Sequence, residues 1–194
     1  MTKEVIGYTA AIVGVIYYIP YVHDVLKGGT KPHAFSWFLW SVLGWIAFAA
    51  QIIKGGGPGS WATGAATTCA SIVFFFSLVK GEKMFPFFDW ISLIGAILAL
   101  ILWRITRDPT LAVVLITTAD AIAYFPTFRK TFWKPFEEHL TFYALGALTY
   151  GLALLALETY SLATWLFPTE ILIMDSLFVG MGLIRRRQLR NTKP

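Results

Sequence analysis

Tyr18-Ile19-Pro20 and, 106 positions later, Tyr124-Phe125-Pro126 spell the same phrase, tyrosine, apolar residue, proline, each inside a long apolar run. Proline withholds a backbone donor and crowds the carbonyl one turn back, so a helix bends or breaks there. The surrounding composition tells which solvent these helices meet. Hydrophobic residues are 57% of the chain and charged ones 14%, against about 25% charged in an ordinary soluble domain. A helix rises about 1.5 Å per residue, so about 20 apolar residues cross a bilayer with every backbone group satisfied internally. That criterion places seven spans near 5–25, 34–53, 59–79, 87–104, 110–129, 139–157 and 161–184. Connections of about ten residues or fewer leave no room for a separate soluble domain between them. Function is therefore expected inside the bundle.

The phrase is part of a longer repeat. With Pro20 on Pro126, one slip in the following loop lays Ser36-Trp37-Phe38 on Thr141-Phe142-Tyr143. At an offset of 101, Ser60, Ala62 and Thr63 fall on Ser161, Ala163 and Thr164. Segments 1, 2 and 3 thus match 5, 6 and 7, and segment 4 is unpaired. One unpaired crossing gives the two triplets the same orientation, as in transporters built from parallel repeats. The expected fold is all-α: residues 1–82 as a first three-helix unit, 83–107 as a linker helix, 108–194 as a second unit with a basic tail. General self-similarity among apolar helices is the bland alternative.

A net charge of +5 does not point to nucleic acid, because the basic residues lie at segment ends rather than on one face. Seven crossings put the termini on opposite sides. Of the 16 basic residues, twelve fall on the side holding the C-terminus and only Lys3, Lys54, Arg104 and Arg107 on the other. The excess predicts a cytoplasmic C-terminus and an outside N-terminus. The cluster from Arg185 to Arg190 reads as a stop-transfer anchor that also suits anionic lipid. The first segment lacks the short core and small-residue cleavage site of a removable signal and is expected to be retained. A lone Cys69 forms no intrachain disulfide.

Three acids fall inside the predicted spans: Asp120, Glu170 and Asp175. An ionised acid at a helix centre costs about 2.5–3.5 kcal/mol on insertion scales, so each should face the bundle interior. No lysine or arginine stands at mid-membrane to pair with them. They are expected either to stay protonated and hydrogen-bonded or to meet a cation. Thr117, Asp120 and Tyr124 share a helical face, a polar stripe suited to proton coupling. Glu170 and Asp175 are five apart, about 140° around an ideal helix, so one of them is expected to face the centre. Glu170 is the preferred one, because the repeat sets it opposite Cys69. An interhelical hydrogen bond is the structural alternative for each acid.

Three helices, a linker and three more, with an aromatic-x-Pro late in the first helix of each unit, resembles the SWEET and PQ-loop transporter superfamily over nearly the whole length. The residue after proline is Tyr21 in one unit and Thr127 in the other, where PQ-loop members carry glutamine. The resemblance implies alternating access, with Pro20 and Pro126 as hinges, and an outside N-terminus. Its sugar carriers hold a hydroxylated ligand with an asparagine pair on the third and seventh helices and a nearby tryptophan. The only asparagine here is Asn191. Cys69 and Glu170 stand at the corresponding depth, while Ser41 and Trp45 face Gly146 and Tyr150. These are the expected solute-binding residues, an aromatic pair for stacking beside a carboxyl for a hydroxyl or a cation.

Other functions lack their residues. A retinal receptor needs a lysine in its last helix, which segment 7 does not have. His23, His33 and His139 show no metal-ligand spacing, and no cofactor or enzymatic motif is present. Gly55-Gly56-Gly57-Pro58 reads as a turn. Most tryptophans lie at segment ends, in interfacial belts. The expected function is a small membrane transporter for a polar solute of the sugar, amino acid, nucleoside or vitamin type. A seven-helix binding, sensor or assembly protein that carries nothing is the alternative, and homo-oligomerisation is open.

Overall fold

The computed structural model describes residues 1–28, 32–81, 87–136 and 138–191. Helices run as α1 (Lys3–Ile16), α2 (Tyr18–Lys27), α3 (Ala34–Ile53), α4 (Trp61–Lys80), α5 (Phe87–Thr106), α6 (Thr110–Trp133), α7 (Leu140–Ala156) and α8 (Leu162–Asn191). Their starts have local causes. The Thr2 hydroxyl accepts from the Val5 amide ahead of α1, and His33 Nδ1 accepts the Ser36 amide at 3.3 Å to open α3. The Asp108 carboxylate accepts the Thr110 amide at 2.8 Å to open α6. Between α3 and α4 the chain turns through Gly55 and Gly57, both at positive φ, into a 3-10 turn over Gly57–Ser60. Only glycine adopts that backbone without strain.

Proline acts differently at its three interior positions. The first rod is broken at Tyr17, one turn before Pro20, where the missing N–H leaves the Ile16 carbonyl without its helical partner. Pro126 leaves the backbone of α6 helical; its side chain is outside the described residues. Pro168 sits inside an uninterrupted α8. The carbonyl that Pro168 frees is that of Thr164, and the Gln51 side-chain amide donates to it at 3.2 Å.

Among the described residues five helical rods are long and apolar enough to cross a membrane: Lys3–Lys27, Ala34–Ile53, Gly57–Lys80, Thr110–Trp133 and Leu162–Arg190. Leu93–Thr106 and Leu140–Ala156 are shorter apolar stretches. Large apolar side chains such as Ile12, Phe75, Leu98, Leu155 and Leu177 point outward, whereas Ala10, Ala47, Ala62, Ala99, Ala153 and Ala163 are buried. Small residues inside and large ones outside is how helices pack when lipid is the solvent. The chain is a helical membrane protein.

Helix α4 packs against both α1 and α3, and α8 against both α6 and α7. Across the centre α1 meets α7 and α3 meets α6, while α5 lies on α6 and α3. The bundle end holding Lys3, Gly57–Ser60 and Leu157 is closed by main chain: a Cβ on Gly7 would stand 2.6 Å from the Pro58 carbonyl oxygen, and one on Gly59 would stand 2.6 Å from that of Ala153. Lys3 Nζ donates to the Leu157 carbonyl at 2.7 Å. At the same end Lys54 pairs with Asp108 at 3.3 Å. The Asp108 carboxyl is held down at about 2 by the Thr110 hydroxyl and amide, with Lys54 contributing.

Candidate functional site

A cavity of about 110 Å³ lies between the helices, from mid-bundle toward the opposite end. Six rods build its wall. The break at Tyr17 turns Tyr17 and Tyr18 inward from the first. Trp37, Trp40 and Gly44 come from one stripe of α3, and Ala66, Thr67 and Ala70 from α4. Helix α6 gives Asp120, Ala123, Tyr124 and Thr127; α7 gives Phe142, Tyr143, Gly146 and Tyr150; α8 gives Phe167, Ile171 and Asp175. The spacings of three and four keep each set on one helical face.

Asp175 is the best-held polar group in the wall. Tyr124 donates its hydroxyl to Asp175 Oδ1 at 2.9 Å. The other oxygen lies against Gly146, in space that a Cβ there would occupy. Asp120 is 4% exposed and its carboxyl interacts directly with that of Glu170. Glu170 stands behind Asp120 rather than in the wall, and neither of its oxygens has a hydrogen-bond partner at bonding geometry. Thr117, on the same stripe, is buried with its hydroxyl likewise unpartnered. Among the described residues no group of three His, Cys, Asp or Glu side chains is placed to hold a metal ion.

The structure redistributes several expected site residues. Asp120, Tyr124, Asp175 and Tyr150 meet at the cavity. Of the two α8 acids it is Asp175, not Glu170, that reaches the wall, because Phe167, Ile171 and Asp175 form the inward stripe. Trp45 is 44% exposed, donates its indole N–H to Ser71 Oγ at 3.2 Å and is not in the wall. Trp40, five residues earlier and about 140° around α3, takes that place. Ser41 is buried and spends its hydroxyl on the Trp37 carbonyl at 2.7 Å. Cys69 packs half-buried beside the tyrosines of the first rod. Pro20 is exposed at the outer edge of the cavity end.

At the cavity end of the bundle the closure is aromatic. Trp37 donates its indole N–H to the Tyr21 hydroxyl at 3.2 Å, and the Phe142 ring lies 4.8 Å from Tyr17, 5.6 Å from Tyr18 and 6.0 Å from Tyr21. The sequence held a sign of this face. Trp37, Trp40 and Gly44 are three and four apart, and Phe142 follows Trp37 at an offset of 105. No family model, curated protein or solved structure matches the chain.

Proposed function

We propose that the protein is an integral-membrane transporter that moves a small polar solute by alternating access of two parallel three-helix units. The observation that carries this reading is the central cavity, bounded by both triplets and bearing two buried acids. The packing order supports the repeat. In each triplet the third helix touches the other two, and the first helix of each meets the second helix of the other. That reciprocity is what a two-fold axis along the membrane normal requires. Helix α5 then serves as the linker between units 1–82 and 108–194.

A solute would be held midway between the triplets, with Asp120 and Asp175 as polar centre and Tyr18, Trp37, Trp40 and Tyr150 as walls. A cavity near 110 Å³ is below the roughly 300–1,000 Å³ of open ligand sites. This suits a partly closed state. Opening requires the Tyr21, Trp37 and Phe142 rings to part at one end, with the break before Pro20 as hinge. In SWEET and PQ-loop carriers, which the chain resembles, paired prolines are given that part; here Pro126 would be the second. Carboxyls with no basic neighbour in the wall can shuttle a proton across, so coupling to protons belongs to the proposal. The charge bias places the C-terminus in the cytoplasm.

The test is flux. The purified chain is melted in detergent against sugars, amino acids, nucleosides, vitamins and amines, since a ligand raises apparent stability by mass action. Each ligand found is then offered to proteoliposomes. Saturable uptake that fails in Asp120→Asn supports the carrier. Ligands that bind yet never cross would refute it.

A further inference from the structure

The cavity wall has a composition of its own. Its 19 residues include nine Tyr, Trp or Phe rings placed around Asp120 and Asp175, and no Lys, Arg or His. A third carboxyl, Glu170, abuts Asp120 from behind, its two oxygens buried and facing no basic group, with the Asp120 carboxyl as their polar neighbour. A buried acid without a donor is costly, and a positive group resolves it. Aromatic faces select among positive groups. The ring quadrupole attracts a weakly hydrated cation with an apolar skin, which is how aromatic cages take quaternary and methylated ammonium groups. A small inorganic cation instead needs its hydration shell replaced by several converging oxygens. The described acids do not converge in that way. A neutral sugar would leave the carboxyls uncompensated.

We propose that the cavity binds a compact organic ammonium cation, its charged head between Asp120 and Asp175 and its alkyl shell against Tyr18, Trp37, Trp40 and Tyr150. The proposal deepens the transport reading by naming the solute class, and it rests on that reading only for the passage of the bound cation across the membrane. The small volume sets the size, a head group with few carbons. Gly44 lets Thr67 of α4 pack close against α3 at the wall, since a Cβ there would overlap the Thr67 hydroxyl.

The full chain in detergent is titrated with tetramethylammonium chloride and methylammonium chloride, with sodium chloride and glucose as controls. Melting temperature and tryptophan fluorescence report binding, the latter because Trp37 and Trp40 line the cavity. At least one ammonium salt should saturate, shift the melt and change the emission, while both controls do neither. Asp120→Asn and Trp40→Leu should each weaken binding about tenfold or more. Trp40 is 39% exposed, so its replacement tests the cage even where the acid variant fails to fold. Failure of both ammonium salts to saturate, or equal response to sodium, overturns the assignment. So does unchanged affinity in Trp40→Leu. Ammonium binding without flux in proteoliposomes keeps the site and removes the carrier; glucose flux without ammonium binding does the reverse.

Discussion

Gln51 and Pro168 offer a quantitative test of how the fold handles proline inside a membrane helix. Pro168 cannot donate to the Thr164 carbonyl, and Gln51 on α3 does so instead, at 3.2 Å and across 113 residues. Gln51 and Thr164 are both fully buried. Replacing Gln51 by leucine leaves that carbonyl bare, a cost of about 1–3 kcal/mol. The same change removes Gln51 Oε1, itself buried and unpartnered, which offsets part of the loss. The single variant is thus a difference of two terms of similar size. A double-mutant cycle separates them. In a Pro168→Ala background the new N–H at 168 takes over the Thr164 carbonyl, so Gln51→Leu should there be cheaper by about 1 kcal/mol, or even stabilising. The assay is reversible denaturation of the four proteins in detergent micelles, monitored by far-UV circular dichroism. Costs of Gln51→Leu equal in both backgrounds within about 0.5 kcal/mol would refute the assignment of Gln51 as surrogate donor.

Three further outcomes rest on the same geometry. Gly146→Ala pushes a Cβ into Asp175 Oδ2, and the carboxyl can turn aside only by releasing Tyr124. Destabilisation of about 1–3 kcal/mol is expected in thermal melts, with most of it recovered when Asp175→Ser is added; strict additivity would contradict it. Gly7→Ala should destabilise far more than Gly14→Ala. At 7 the Cβ would meet Pro58 backbone at 2.6 Å, whereas at 14 its nearest neighbour is a Thr149 methyl at 3.3 Å and the helix gains about 0.5–1 kcal/mol from losing glycine. Asp108, with its carboxyl lowered from 3.8 to about 2, contributes stability that is fully present above its unfolded value and lost as pH falls through the folded one. The stability gap between wild type and Asp108→Asn, small at neutral pH, should close between about pH 4 and pH 2; a gap independent of pH would remove the ionic part of that contact.

What the sequence made legible is what depends on solvent and on chain-local chemistry. Span limits fall within a few residues of the helices because hydropathy and length are local quantities. Helix α8 runs on to Asn191, past the expected limit at 184, because Arg185 and Arg186 donate to the carbonyls of Phe132, Pro135 and Glu138. Arg185 also sits 4.2 Å over the Phe132 ring. Those partners are about fifty residues away and leave no periodic trace. The polar stripe of Asp120 and Tyr124 was readable since spacing alone puts both on one face. Which face of α3 turns inward was not: Trp40 and Trp45 are equally apolar, and only packing against α4 and α6 decides between them. Likewise the choice between Glu170 and Asp175 depends on the rotation of α8, fixed by Phe167 and Ile171 against their neighbours.

The two ends of the cavity differ in what a conformational change must break. At one end α1 rests on the Pro58 carbonyl and the turn at Gly59 rests on Ala153, main chain against main chain. Neither contact yields by a rotamer change. At the other end the closure is made of side chains, the Phe142 ring among three tyrosines and a single Trp37 to Tyr21 hydrogen bond. Rotamer flips there take place within a rigid backbone, on a timescale far shorter than helix displacement. For the proposed carrier this orders the cycle. The aromatic end opens first and locally, exposing the acids to the side that holds the C-terminus. Access from the Gly-Pro end requires α1 to slide off the 3-10 turn as a body, and the break at Tyr17 uncouples that slide from α2. Bulk at Gly7 crowds that closed contact and should therefore speed exchange across the membrane while leaving the cavity wall, and solute binding, in place.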